Sequence, residues 1–192
     1  MTRELLENAA HRAVSYLEGL ESRGVSPTPE AIANLKRLDE SLPDEPVEPK
    51  SVIQWLDEIC SPATMAMAGP RSFGFVLGGS LPVTLAANWL AGAWDQNATL
   101  YNATPSAALL EQVALRWLID VFDLAPNCAG AFVTGATMAN FTALAAARHA
   151  VLTRAGWNVE ADGLFGAPPI TVIVGAEAHP TLFKSLGLLG LG

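Results

Sequence analysis

Thr134-Gly135-Ala136-Thr137 follows a buried-type run, Ala129 to Val133, and opens an alanine-rich helical pattern. A chain entering a helix at such a turn leaves unpaired backbone N–H groups pointing at one spot. The helix dipole adds partial positive charge there, so the spot suits a phosphate group. Gly135 and Ala136 allow close approach to the backbone, and Thr137 can cap the helix or donate its hydroxyl. The same residues also suit a ligand-free turn, because small residues and a Thr cap are ordinary at helix starts. The lysine of a phosphate-cradling nucleotide loop and the third glycine of a dinucleotide fingerprint are both missing. His179 follows a second buried-type run, Ile170 to Val174, and precedes a helix that should start near Pro180. In an open α/β sheet both positions fall outside the carboxyl ends of strands, where ligands collect. The competing reading is a helix-capping or hydrogen-bonded structural histidine. His149 lies mid-helix beside Arg148 and His11 lies on an exposed-type helix; no pair among the three histidines has metal-ligand spacing, so no metal site is expected.

The elements that must hold these residues follow from periodicity and punctuation. Apolar residues at three- and four-residue spacing predict a helix from about Arg3 to Glu21, stopped by Gly24. Residues 25–50 carry Pro27, Pro29, Pro43, Pro46 and Pro49 around one short helical pattern, Glu30 to Leu38, and read as a linker or wrapping arm. A further helix is expected near Val52 to Ile59. Phe73-Gly74-Phe75-Val76-Leu77 reads as a short strand or extended run closed by Gly78-Gly79. Pro82, with Ser80 as a possible cap, should begin a helix to about Asn97, and Pro105 another through Phe122. The strand Ala129–Val133, a helix to about Ala155 ended by Gly156, the strand Ile170–Val174 and a last helix complete an α/β pattern. The division expected is 1–60 as a helical arm and Pro-rich linker, and 61–192 as the first part of a larger α/β domain.

Composition narrows the classes. The 192 residues carry 11 basic against 19 acidic side chains, a net charge of −8, which argues against a nucleic-acid footprint. Residues 1–58 hold 18 charged side chains and residues 59–192 only 12, so the second block is too dry to coat its own surface. It should be covered by something else or belong to a larger body. The uncharged stretches Ser72–Trp94 and Leu124–Ala147 are broken by Gly, Pro and Asn and lack basic flanks, so no membrane span is expected. The N-terminus has no apolar core for a signal peptide, and Cys60 and Cys128 form no framework, which points to a reducing, cytoplasmic setting.

Four segments together resemble a known family. They are Gly69-Pro-Arg-Ser-Phe-Gly-Phe-Val, Thr104-Pro-Ser-Ala-Ala-Leu-Leu-Glu-Gln-Val, Gly130-Ala-Phe-Val-Thr-Gly-Ala-Thr-Met-Ala-Asn-Phe-Thr-Ala-Leu-Ala-Ala-Ala-Arg, and Ala176-Glu-Ala-His179. In order and at this spacing they resemble the N-terminal part of a group II pyridoxal-5′-phosphate-dependent amino-acid decarboxylase. The resemblance implies the large domain of a fold type I PLP-dependent transferase, preceded by a helical arm that wraps the partner in a homodimer. It implies that Gly135, Ala136 and Thr137 bind the cofactor phosphate and that His179 stacks on the pyridine ring close to the reacting carbon. It further implies that Phe73, Phe75 and Leu77 line the pocket for the side chain of an amino-acid substrate, near the subunit interface. The sequence departs from the family pattern at Gly69, where many relatives have His, at Ser72, where an aromatic is common, and at Pro180-Thr181, which replaces small hydroxyl residues.

Decarboxylation with this cofactor needs a Schiff-base lysine and an acid paired to the pyridinium nitrogen. The family carries both downstream of the stacking histidine. Lys36 and Lys50 lie in the arm, and Lys184 would project about 140° away from His179 on a helix. The expectation is therefore a truncated carboxy-lyase subunit, inactive alone. Two rivals are a non-catalytic partner chain and an α/β module for another phosphorylated ligand.

Overall fold

The computed structural model describes residues 2–192; Met1, where the expected arm begins, lies outside them. Two compact units divide the chain, one ending at Asp95 and the other running Gln96–Gly192.

The first unit holds helices α1 (Thr2–Glu18), α2 (Pro29–Asn34), α3 (Pro49–Cys60) and α4 (Pro82–Trp94), with 3₁₀ turns at Gly19–Glu21, Leu35–Leu38 and Ser61–Ala63. Proline's fixed φ and missing N–H suit the first helical position, and three of these four helices begin on one. Carboxylate and hydroxyl caps finish two of the starts. Thr28 accepts from the Ala31 amide at 3.2 Å, and Glu48 accepts from the Ser51 amide at 2.8 Å. Ser80 caps nothing: α4 starts after Leu81 without a side-chain cap and stops at Asp95 in the left-handed region, before the expected Asn97.

Helix α1 packs on α3. Arg12 donates to Asp57 at 2.8 Å, and Tyr16 bonds the Thr64 hydroxyl at 2.8 Å. Arg23 lies 5.2 Å from the Tyr16 ring centroid and donates to the carbonyls of Ser61, Pro62 and Thr64. Leu20, Ile59 and Ala66 form the buried centre of this unit, a small one. Beside them an open groove of about 870 Å³ keeps Ala13, Leu17, Ile53, Leu56 and Met67 at its walls.

The second unit holds α5 (Pro105–Val121), α6 (Ala136–Arg154), α7 (Val159–Asp162) and α8 (Pro180–Leu188). Helix α7, capped by Asn158, whose side-chain oxygen accepts from the Ala161 amide, was not foreseen from the sequence. The core is Leu152, Val159, Leu186 and Leu189, where α6, α7 and α8 meet.

The expected strands are not formed among the described residues. A strand exists as one half of a hydrogen-bonded ladder, and the extended segments 129–133 and 170–174 have no ladder partner there. The first rests against α5, where a Cβ on Gly130 would come within 3.0 Å of Leu115. Phe73–Leu77 departs further from expectation. Phe75 and Val76 take φ of 61° and 56°, and two successive left-handed residues make a turn rather than a strand. No helix among the described residues is long and apolar enough to cross a membrane.

Candidate functional site

The start of α6 is built on Gly135, whose φ of 87° and ψ of 169° fall in a region that is essentially glycine's alone. A Cβ at that position would meet nothing within 4 Å, so the requirement is conformational and the space in front of the turn is open. Gly135 is the N-cap and no side chain caps the helix, so of the two roles open to Thr137 capping is not the one taken. The first intrahelical bond runs from the Ala139 amide to the Gly135 carbonyl at 3.1 Å. The amides of Ala136, Thr137 and Met138, upstream of it, have no acceptor among the described residues. Three donors and the positive end of a 19-residue helix thus converge on one exposed spot.

His179 is the N-cap of α8, in extended backbone with φ −63° and ψ 142°. Its Nδ1 accepts from the Thr181 amide at 3.3 Å and lies 2.9 Å from the Thr181 hydroxyl. The capping alternative considered for this histidine is thus realised, and it occupies only one nitrogen. Nε2 has no partner among the described residues and the side chain is exposed.

Side chains of α6 and α8 tie the two helix starts together. Asn140, one turn into α6, donates through Nδ2 to the Thr181 hydroxyl at 3.0 Å. The Ser185 hydroxyl, fully buried, lies 3.0 Å from the Thr137 carbonyl and 2.8 Å from that of Thr181. Arg148 donates Nη1 to the Leu189 carbonyl at 3.0 Å, a cation at the end of α8 that complements its dipole. Sequence reasoning missed Asn140, Thr181 and Ser185. The available signal was their cost: Asn is a poor residue inside an alanine-rich helix, and Ser185 interrupts an apolar face.

His149 is half a helix away, 3.0 Å from both carboxylate oxygens of Glu160, and its hydrogen bond holds that carboxyl below the usual range. Phe73, Phe75 and Leu77 belong to the first unit, with exposed side chains. No group of His, Cys, Asp and Glu among the described residues could hold a metal ion.

Solved structures with the same fold include mouse CSAD, at a TM-score of 0.87 and 21% identity, which this chain matches over its whole length while covering 39% of that protein. The Oryza sativa TDC structure with PLP gives a TM-score of 0.84 at 25% identity, with all of this chain and 42% of that one aligned. Among curated proteins, the aromatic-L-amino-acid decarboxylase of Bacillus atrophaeus is 29% identical over 150 residues, covering 78% of this chain and 31% of that protein. The Cavia porcellus enzyme of the same name is 32% identical over 149 residues, covering 73% of this chain and 31% of that one. The chain therefore spans about a third of the length of such relatives. The pyridoxal-dependent decarboxylase conserved domain matches residues 30–162, well over half of the chain. On that match the chain belongs to the pyridoxal-dependent decarboxylase family.

Proposed function

We propose that the chain forms the N-terminal part of a carboxy-lyase that releases carbon dioxide from an L-amino acid and leaves an amine, with pyridoxal 5′-phosphate as cofactor. The observation that carries this reading is the mouth of three partnerless amides on α6, hydrogen-bonded through Asn140 and Thr181 to the imidazole at the start of α8.

The residues fit the cofactor. An ester phosphate offers acceptors only, and the amides of Ala136, Thr137 and Met138 offer donors only, in front of an uncapped helix. When bound, the cofactor supplies an electron sink for the bond broken at the amino acid's α-carbon. Gly135, Ala136 and Thr137 would hold the phosphate. His179 would stack on the ring and leave Nε2 free. Phe73, Phe75 and Leu77 would line the wall for the substrate side chain near the subunit interface.

On the same reading, residues 61–192 are the first part of a fold type I large domain, and the runs 129–133 and 170–174 become strands where further chain flanks them. Residues 1–60 are an arm wrapped around the partner in a homodimer, which would cover the apolar groove between α1 and α3. Free Cys60 and Cys128 suit a cytoplasmic setting. No lysine here is placed for the Schiff base: Lys50 pairs with Glu4 at 3.5 Å, Lys36 lies in the arm and Lys184 is exposed on α8. These 192 residues alone should therefore release no amine.

The test is a titration of the ¹⁵N-labelled chain with pyridoxal 5′-phosphate and with pyridoxal. The phosphate ester should shift the amide signals of Ala136, Thr137 and Met138 together with the His179 ring, and pyridoxal should leave those amides in place. Unmoved amides would overturn the reading. Equal shifts from any phosphate ester, with the His179 ring unaffected, would favour a module for a different phosphorylated ligand. Amine release by the purified chain with added cofactor would refute its inactivity.

A further inference from the structure

The hydrogen bonds around His179 have a direction that can be worked out from one donor. A backbone amide can only donate, so the Thr181 N–H aimed at Nδ1 of His179 requires that nitrogen to be an unprotonated acceptor. A neutral imidazole then carries its proton on Nε2. The Thr181 hydroxyl, 2.9 Å from the same Nδ1, has to donate as well, since two acceptors cannot share the contact. Its oxygen is left to accept from its other neighbour, and there Asn140 presents Nδ2 at 3.0 Å. Ser185, within 2.8 Å of the Thr181 carbonyl, holds that residue's backbone from the buried side.

We infer that Asn140 and Thr181 are positioning residues that fix His179 in the Nε2–H tautomer, so that its free edge is always a hydrogen-bond donor. The inference deepens the functional reading above, where that edge faces the reacting group. It also makes Thr181, a departure from the family pattern, a working part of the site. The amide of Asn140 is needed for its direction and not its bulk. An Asp at the same place would accept from the Thr181 hydroxyl, turn its proton away from Nδ1 and leave an oxygen lone pair facing the ring.

The experiment reads the ring nitrogens of the cofactor-free chain by ¹⁵N NMR, at a pH about two units above the ordinary imidazole value of ~6.5. Wild type should show Nε2 protonated and Nδ1 as acceptor. N140D should move the tautomer ratio roughly tenfold toward the Nδ1–H form, the effect of reversing one hydrogen bond. T181V should move it in the same direction by a smaller factor, because the amide of residue 181 still donates, and T181S should restore the wild-type ratio. A wild-type ring protonated on Nδ1, or an N140D ratio within about twofold of wild type, would overturn the inference. Because no cofactor is added, failure here is separate from failure of the phosphate titration.

Discussion

Two residues set conditions that single substitutions expose. Asp57 accepts from the Ser61 hydroxyl and from Arg12, and these bonds, the first foremost, hold its carboxyl below the usual range. The unfolded chain binds that proton at higher pH than the folded one, so the contribution to stability is complete above about pH 4 and is lost as pH falls through the folded value. D57N should remove this acid-side dependence and cost about 1 kcal/mol at neutral pH, the pair being part-exposed. Acid titration followed on the α3 amide signals checks it, and an unchanged profile contradicts it. Gly135 is the second. An Ala there has room but not the backbone, so G135A should cost about 1–3 kcal/mol and turn the α6 amides. It should also abolish the cofactor-dependent shifts at residues 136–138 and at the His179 ring, while leaving the signals of the first unit unchanged.

At the scale of elements, stability in the second unit rests on the contact of α6 with α8. Leu152, 1% exposed, should cost about 2–5 kcal/mol as L152A, read from urea unfolding by circular dichroism. S185A should cost about 1–3 kcal/mol, because its hydroxyl is the buried partner of two backbone carbonyls. A loss under half a kcal/mol in both would place the core elsewhere. Helices were legible in the sequence because local chemistry marks them: Pro82, Pro105 and Pro180 each begin one, as expected. Pro29 and Pro49 begin the helices expected over Glu30–Leu38 and near Val52–Ile59, but those starts were not placed on the prolines, since the same fixed φ also serves a linker. Strands were not legible in the same way. Their hydrogen bonds lie between segments, and periodicity in residues 73–77 gave no warning of the left-handed pair Phe75 and Val76. At the candidate site, the turn and the histidine stand out in the sequence by type and position, whereas Asn140, Thr181 and Ser185 bond across helices and leave only a faint mark there.

For the whole molecule the dry second block has a visible counterpart. Phe73, Phe165 and Ile173 are about nine-tenths exposed or more, and among the described residues the two cores contain only seven apolar residues. Surfaces of this kind call for a cover. The chain should therefore bind a hydrophobic dye and self-associate with rising concentration, as sedimentation velocity would record. A monodisperse monomer without dye uptake at tens of micromolar would mean that the exposed faces are masked in some other way.

On the function proposed above, the imidazole of His179 is employed twice, and the two employments use opposite edges of the ring. One nitrogen finishes a helix, which an asparagine side chain does equally well; the other is left for chemistry, which asparagine does not offer. H179N should therefore leave α8 intact while silencing the free edge, whereas H179A forfeits both. The pair of variants lets fold and reactivity at a single position be dissected independently.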